Sequence, residues 1–164
     1  MREFRLEADE TVAALIELDE ANVVRDLANQ LTLLLTEPAE GDPALLRLLP
    51  DAYPDDAASS TEFRRYTHDS LIDRKVANAS TVIETLDAAT AAVDAASEEH
   101  ASASLRLDRD QAIAWLTTLT DIRLTLANRL GIIEDDQRSD DVVLQDLYDW
   151  LGFVQNAIVE TLES

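Results

Sequence analysis

Between Asp108 and Gly131 the apolar residues Ile113, Leu116, Leu119, Leu126 and Leu130 fall at steps of three, three, seven and four. That spacing predicts one face of an amphipathic helix. Asp108 stands at its N-cap position and Gly131 just past its end, where glycine takes the left-handed conformation without strain. Arg123 interrupts the stripe between Leu119 and Leu126. A charge on a buried face needs a partner, because an uncompensated buried charge is too costly to keep. Asp146, Asp149 and Glu62 are the candidate carboxylates, and an acid on the last helix is preferred. Arg123 is therefore read as a structural buried charge that fixes helix register rather than as a ligand-binding residue.

The rest of the chain supplies neighbours for this helix. Residues 3–18 alternate around Asp9-Glu10, with Phe4 and Leu6 before it and Val12, Ala14, Ile16 and Leu18 after it. A small β-hairpin over residues 1–18 is preferred, and a helix from Asp9 is the competing reading. Val24, Leu27, Leu31, Leu34 and Leu35 predict a helix from about Glu20 to Thr36, capped by Asp19 and closed by Pro38. Asp42-Pro43 predicts a short helix that starts with proline in its first turn. Ser59 and Glu62 have capping-box spacing, and a long helical region follows. Its apolar phase shifts near residues 69–73, before the seam Ile72, Val76, Ala79, Ile83, Leu86 and Val93. Residues 88–107 are read as a mobile low-complexity connection, with a short extended piece at Leu105 and Leu107. Leu144, Leu147, Leu151, Val154, Ile158 and Leu162 mark a last helix, widened by Trp150, Phe153 and Ala157. Gly152 lies mid-helix, which costs about 1 kcal/mol relative to alanine unless a close helix–helix approach offsets it. The fold class is mainly all-α: one domain over residues 1–164, an irregular bundle of four or five helices with the N-terminal hairpin.

Composition narrows the functional classes. The chain has 164 residues, of which 46% are hydrophobic, enough to build a core. It has no cysteine, which excludes disulfides, thiolate metal sites and a cysteine nucleophile. The formal net charge of -21 repels nucleic-acid phosphates and anionic lipid headgroups and favours a basic partner. One lysine, Lys75, stands against twelve arginines, a bias that a GC-rich genome or a salt-loving host would produce. The opening residues MREFRLEADETV hold no apolar run of signal-peptide length, and no stretch approaches a membrane span. A cytoplasmic protein is expected.

Candidate chemistry is sparse. His68 and His100 sit in no catalytic or metal-binding motif. The acidic run Glu134, Asp135, Asp136, Asp140 and Asp141 fails the EF-hand pattern at its glycine and its terminal ligand. Glu62 with Asp121 could be imagined as an acid/base pair, but among 34 acidic residues such pairings arise by chance. The basic concentration Arg64, Arg65, Arg74 and Lys75 is the candidate for a partner or anion contact, with Arg64 and Arg65 foremost. Internal pairing with carboxylates is its preferred explanation. No catalytic residue, cofactor site or metal site is assigned.

Four stretches carry a resemblance. DPALLRLLPDAY (Asp42 to Tyr53), EFRR (Glu62 to Arg65), WLTTLTDIRL (Trp115 to Leu124) and YDWLGFVQ (Tyr148 to Gln155) resemble an actinobacterial family catalogued as a domain of unknown function. Its members read like D-P-x-L-x-R-L-x-P-x-A-Y, E-F-R-R, W-L-x-x-L-N-D-x-R-L and Y-x-W-L-G-x-x-Q. Thr120 stands where the family often has asparagine. The resemblance implies no activity. It implies genes often encoded beside the ClpS adaptor of the Clp protease and near a metallopeptidase-like protein, and a transcriptional-regulator label on some members. The leading expectation is a non-enzymatic cytoplasmic protein-interaction module linked to regulated proteolysis. The alternatives are an enzyme with an unrecognised site around Arg64, Arg65 and Arg123, and a transcriptional regulator, which the net charge disfavours. A homodimer through the broad apolar surface of the last helix is also open.

Overall fold

The computed structural model describes residues 1–37, 40–49, 57–93, 101–131 and 139–164, without the side chains of 57–66 and 68. The elements run β1 (Arg2–Leu6), β2 (Val12–Glu17), α1 (Leu18–Thr36), α2 (Pro43–Leu48), α3 (Ala57–Thr90), β3 (Ser102–Leu107), α4 (Arg109–Leu130) and α5 (Val142–Glu163). The fold is mainly helical with a small antiparallel sheet, ordered β1-β2-β3.

The hairpin forms, and it is the start of a larger sheet. Its turn closes with Glu7 N–H donating to the Thr11 carbonyl at 2.9 Å and Glu10 N–H to the Glu7 carbonyl at 3.0 Å. Asp9 accepts from Thr11 N–H at 3.2 Å, and hydrogen bonding from the Thr11 side chain, then from its backbone, holds the Asp9 carboxyl below the usual range. β1 is interrupted by a register shift between Arg2 and Arg5, where Glu3 takes a positive φ of 55°. A bulge of this kind makes an edge strand a poor template for further pairing.

The third strand corrects the expectation for residues 88–107. Ser102–Leu107 pairs along the whole of β2, with Val12 opposite Leu107, Ala14 opposite Leu105 and Ile16 opposite Ala103. Ala103, Leu105 and Leu107 are buried while Ser104 and Arg106 face out. The period-two alternation is short and made partly of small residues, so the low-complexity run before it conceals the strand. Residues 94–100 lie outside the described residues.

The helices follow their caps more faithfully than their stripes. α1 begins two residues before the expected Glu20, because Glu17 is its N-cap in a capping box with Glu20. Glu20 also receives the amine of Met1. Asp42 accepts from Ala44 N–H at 2.9 Å and starts α2 at Pro43. α3 is one helix of 34 residues through the expected phase shift. α4 starts at a reciprocal capping box between Asp108 and Gln111 and ends at Gly131, whose φ of 69° only glycine adopts without strain. Asp141 accepts from Leu144 N–H at 3.1 Å and starts α5.

α4 lies in the middle, packed against α3 on one side and α5 on another, with α2, α1 and β3 also in contact. Its buried stripe is Ala112, Trp115, Leu119, Ile122 and Leu126, one position out of phase with the expected one at its start. Ile113, expected in the core, is 50% exposed. The small and polar residues Ala114, Thr118 and Asp121 are buried on a second side. A helix covered on two sides has no single apolar stripe for periodicity to detect. Trp115 is fully buried and donates its indole N–H to the Thr85 hydroxyl of α3 at 2.9 Å.

Leu105→Ala is predicted to cost about 2–5 kcal/mol, as a truncated core leucine does. Urea denaturation followed by circular dichroism checks this. A loss within experimental error of zero would return residues 102–107 to the status of a surface connection.

Candidate functional site

Among the described residues, α4 carries a charged side chain on each of its two covered sides. On the α3 side Asp121 is 4% exposed. Its Oδ1 accepts from Lys75 Nζ at 2.7 Å, so the chain's one lysine is paired with this buried acid. Its Oδ2 has no hydrogen-bond partner, and neither does the buried hydroxyl of Thr118 one turn earlier. Burial pushes the Asp121 carboxyl above the usual carboxylate range, although the Lys75 hydrogen bond and charge oppose that rise. Trp115–Thr85 and Asp121–Lys75 together fix α4 antiparallel to α3.

On the α5 side Arg123 is half-buried. Its guanidinium carbon lies 4.3 Å from the centroid of the Tyr148 ring, and its Nη1 donates to Gln155 Oε1 at 3.0 Å. Gln155 is itself oriented, because its Nε2 donates to Thr120 Oγ1 at 2.7 Å and to the Leu116 carbonyl at 3.3 Å. That leaves the amide oxygen for the arginine. A Cβ built on Gly152 would lie 3.2 Å from the Arg123 guanidinium. Glycine therefore makes room for a side chain lying across the helix, rather than for a direct backbone approach.

The partner of Arg123 thus differs from the expected carboxylate. It comes from the last helix, as preferred, but it is an amide and an aromatic face. Among the described residues no carboxylate lies within ion-pair distance of the guanidinium. Asp149 accepts from Gln145 Nε2 at 3.0 Å, Asp146 is exposed, and the Glu62 side chain lies outside the described residues. The residue as a whole is only half-buried, so a ring face and an oriented amide meet its charge, while its Nε is enclosed without a hydrogen-bond partner.

The arginine-rich segment is only partly visible. Arg64 and Arg65 are in α3, about three turns before Lys75, but their side chains lie outside the described residues, as does that of His68. Arg74 is exposed. His100, Glu134, Asp135 and Asp136 also lie outside the described residues. Lys75 was included in that basic group, and the structure sends it inward. Asp121 is one of 34 acidic residues, so its residue type alone does not mark it as buried. The signal that could have found it is the second stripe of α4, where Ala114, Thr118, Asp121 and Thr125 repeat at four, three and four.

A cleft of about 290 Å³ opens between α3, β3 and the start of α4, lined by Glu84, Thr85, Ala88, Ala89, Ser104, Arg106 and Gln111. Several of its polar groups already serve the fold. Thr85 accepts from Trp115, Gln111 closes the α4 cap, and Arg106 pairs with Glu7 and Asp9. A smaller cavity of about 20 Å³ lies between α1 and α4, beside Leu31 and Ile122. Among the described residues no cluster of three or more His, Asp or Glu has metal-site geometry, and no helix is long and apolar enough to cross a membrane.

The chain belongs to the family of a domain of unknown function, DUF2017, whose model matches residues 1–162. No curated protein and no solved structure matches it. The stretches from Trp115 to Leu124 and from Tyr148 to Gln155, which stood out in the sequence, meet at Arg123. Thr120, Arg123, Tyr148 and Gln155 of these stretches serve the packing of α4 against α5, while Trp115 and Asp121 face α3.

Two predictions follow from these contacts. Lys75→Met leaves Asp121 buried without its cation and should cost about 3–5 kcal/mol at neutral pH. Lys75→Met/Asp121→Leu, which removes both charges, should cost much less. Because burial raises the folded-state pKa above the ordinary 3.8, the fold binds this proton more tightly than the unfolded chain does. The Asp121 contribution is therefore most favourable below that ordinary value and is lost as pH rises through the raised one. Losing Lys75 raises it further, so the deficit of the single variant should shrink on acidification. Urea titrations across pH read this; a pH-independent deficit would contradict it. Separately, Gly152→Ala should bring no gain in the native sequence, because the new methyl displaces the clamped guanidinium. In an Arg123→Ala background the same change should stabilise by about 1 kcal/mol, the ordinary helix-interior preference. Equal effects in both backgrounds would refute the steric account.

Proposed function

We propose that the chain is a non-enzymatic, cytoplasmic protein-interaction module of an actinobacterial host, acting in regulated proteolysis. The observation that carries this reading is the outer surface of the helices. Large apolar side chains remain open to solvent there, including Leu46 on α2, Ile113 on α4, and Val142, Val143 and Phe153 on α5. They stand on a protein of formal net charge -21, where an acidic field favours a basic partner and speeds encounter with it. Large apolar groups left in solvent on an acidic surface suit recognition of another protein. The link to proteolysis rests on the gene neighbourhood that the sequence resemblance implies, and the host on the same resemblance and on the arginine bias.

The test is affinity capture. Immobilised protein should retain a discrete basic protein from the host's lysate at physiological ionic strength and release it as salt rises. A retained protein outside the degradation machinery would remove the link to proteolysis and leave the module standing. Retention of nothing would remove the module itself.

A further inference from the structure

We infer that the exposed seam between α4 and α5 is the docking face of this module, and that its occupant is a basic amphipathic helix of a partner protein. The inference rests on the proposed interaction role and specifies where and by what chemistry it is carried out.

The register of the two helices comes from the bonds around Gln155. Its contacts with Leu116 and Thr120, together with Arg123 over Tyr148, set α4 and α5 antiparallel. Ile113, one turn before Leu116, therefore lies level with Val159, one turn after Gln155. Ile113 is 50%, Val159 38% and Leu124 36% exposed. Along α4, Ile113, Leu116, Thr120 and Leu124 succeed one another at steps of three, four and four, which makes one continuous row. From Ile113 to Leu124 the row spans about three helical turns, or roughly 16 Å. That length matches a partner helix with anchors at i, i+3 or i+4, and i+7.

Charge selects the kind of helix. Arg123, the cation at the floor of the seam, already faces the Tyr148 ring and Gln155 and sits under Gly152. The exposed charged positions beside the row are Asp110 on α4 and Glu160 and Glu163 on α5, against Arg109 at the start of α4. The local balance is acidic and the whole-chain charge of -21 reinforces it. A helix with an apolar ridge flanked by lysine or arginine is complementary to such a strip, whereas one flanked by carboxylates is repelled.

The probe is a fluorescein-labelled synthetic peptide of leucine and lysine, with leucines at i, i+3, i+4 and i+7 over about five turns. A peptide of the same composition in scrambled order is its control. Fluorescence anisotropy should show the patterned peptide binding at least about tenfold tighter than the scrambled one, a difference of about 1.4 kcal/mol. Ile113→Asp/Val159→Asp should abolish that difference, while Val143→Asp should preserve it. Amide shift mapping on the unaltered protein should place the perturbation on residues 112–124 and 152–160. Equal binding of the two peptides, no binding of the patterned one, or shifts confined to another face would overturn the inference. So would a dimer in light scattering that Ile113→Asp/Val159→Asp dissociates, since the occupant would then be a second copy. If that double variant still retains the lysate partner, this face is wrong and the module stands. If the native protein retains none, the module reading fails by itself.

Discussion

A charge carried into a protein interior must be met there, and α4 carries one on each of its two covered sides. Asp121 faces α3 and is met by Lys75; Arg123 faces α5 and is met by Tyr148 and Gln155. The two solutions differ because the burial differs. Asp121 is enclosed, so an opposite charge is needed to keep it ionised. Arg123 is half-open, so an aromatic face and an aligned amide serve. Each contact is directional and tolerates little sliding, so α3, α4 and α5 are held in register around the central helix. Leucine and alanine packing alone would fix that register less sharply.

How much of this was legible follows from where the local signals are strong. Several helix ends were readable because capping is local chemistry: Asp108, Gly131 and Asp42 before Pro43 all act within a few residues, whereas the first and last helices take Glu17 and Asp141 as caps rather than Asp19 and Ser139 or Asp140. The face of α4 was legible only in part: Leu119 and Leu126 are buried as expected, but a helix buried on two sides shows two overlapping stripes, and Ile113 sits on the outer one. Ile113 and Leu116 drew the eye, while Ala112 and Trp115 formed the seam. The hairpin was legible from alternation, and Leu105 and Leu107 marked a short extended piece, but the full length of β3 and its pairing with β2 were not legible. Ser102, Ala103 and Ser104 continue the serine- and alanine-rich run before them, and pairing with β2 across some ninety residues leaves no local trace. The identity of a partner is likewise a tertiary fact. Arg123 announced that it needed one, and nothing in the spacing distinguished Gln155 from Asp149.

Two of the four stretches that carry the family resemblance come together in space, and their convergence has a structural explanation. Tyr148, Gly152 and Gln155 recur at four and three, one face of α5, and that face receives Arg123. Thr120, where the resemblance favours asparagine, accepts the hydrogen bond that orients Gln155. Residues of this kind look like an active site in a sequence, being polar, aromatic and glycine together. Here they build a helix–helix joint.

If α4 is the element on which the others depend, it should be the last to open. Local stability is read residue by residue from amide hydrogen exchange under native conditions. The account predicts that the slowest-exchanging amides include those from Trp115 to Leu126, with protection close to that for global unfolding and reduced in Lys75→Met. Exchange in α4 that is faster than in α1 or α5 would contradict it, since the charges at Asp121 and Arg123 would then decorate the fold rather than hold it.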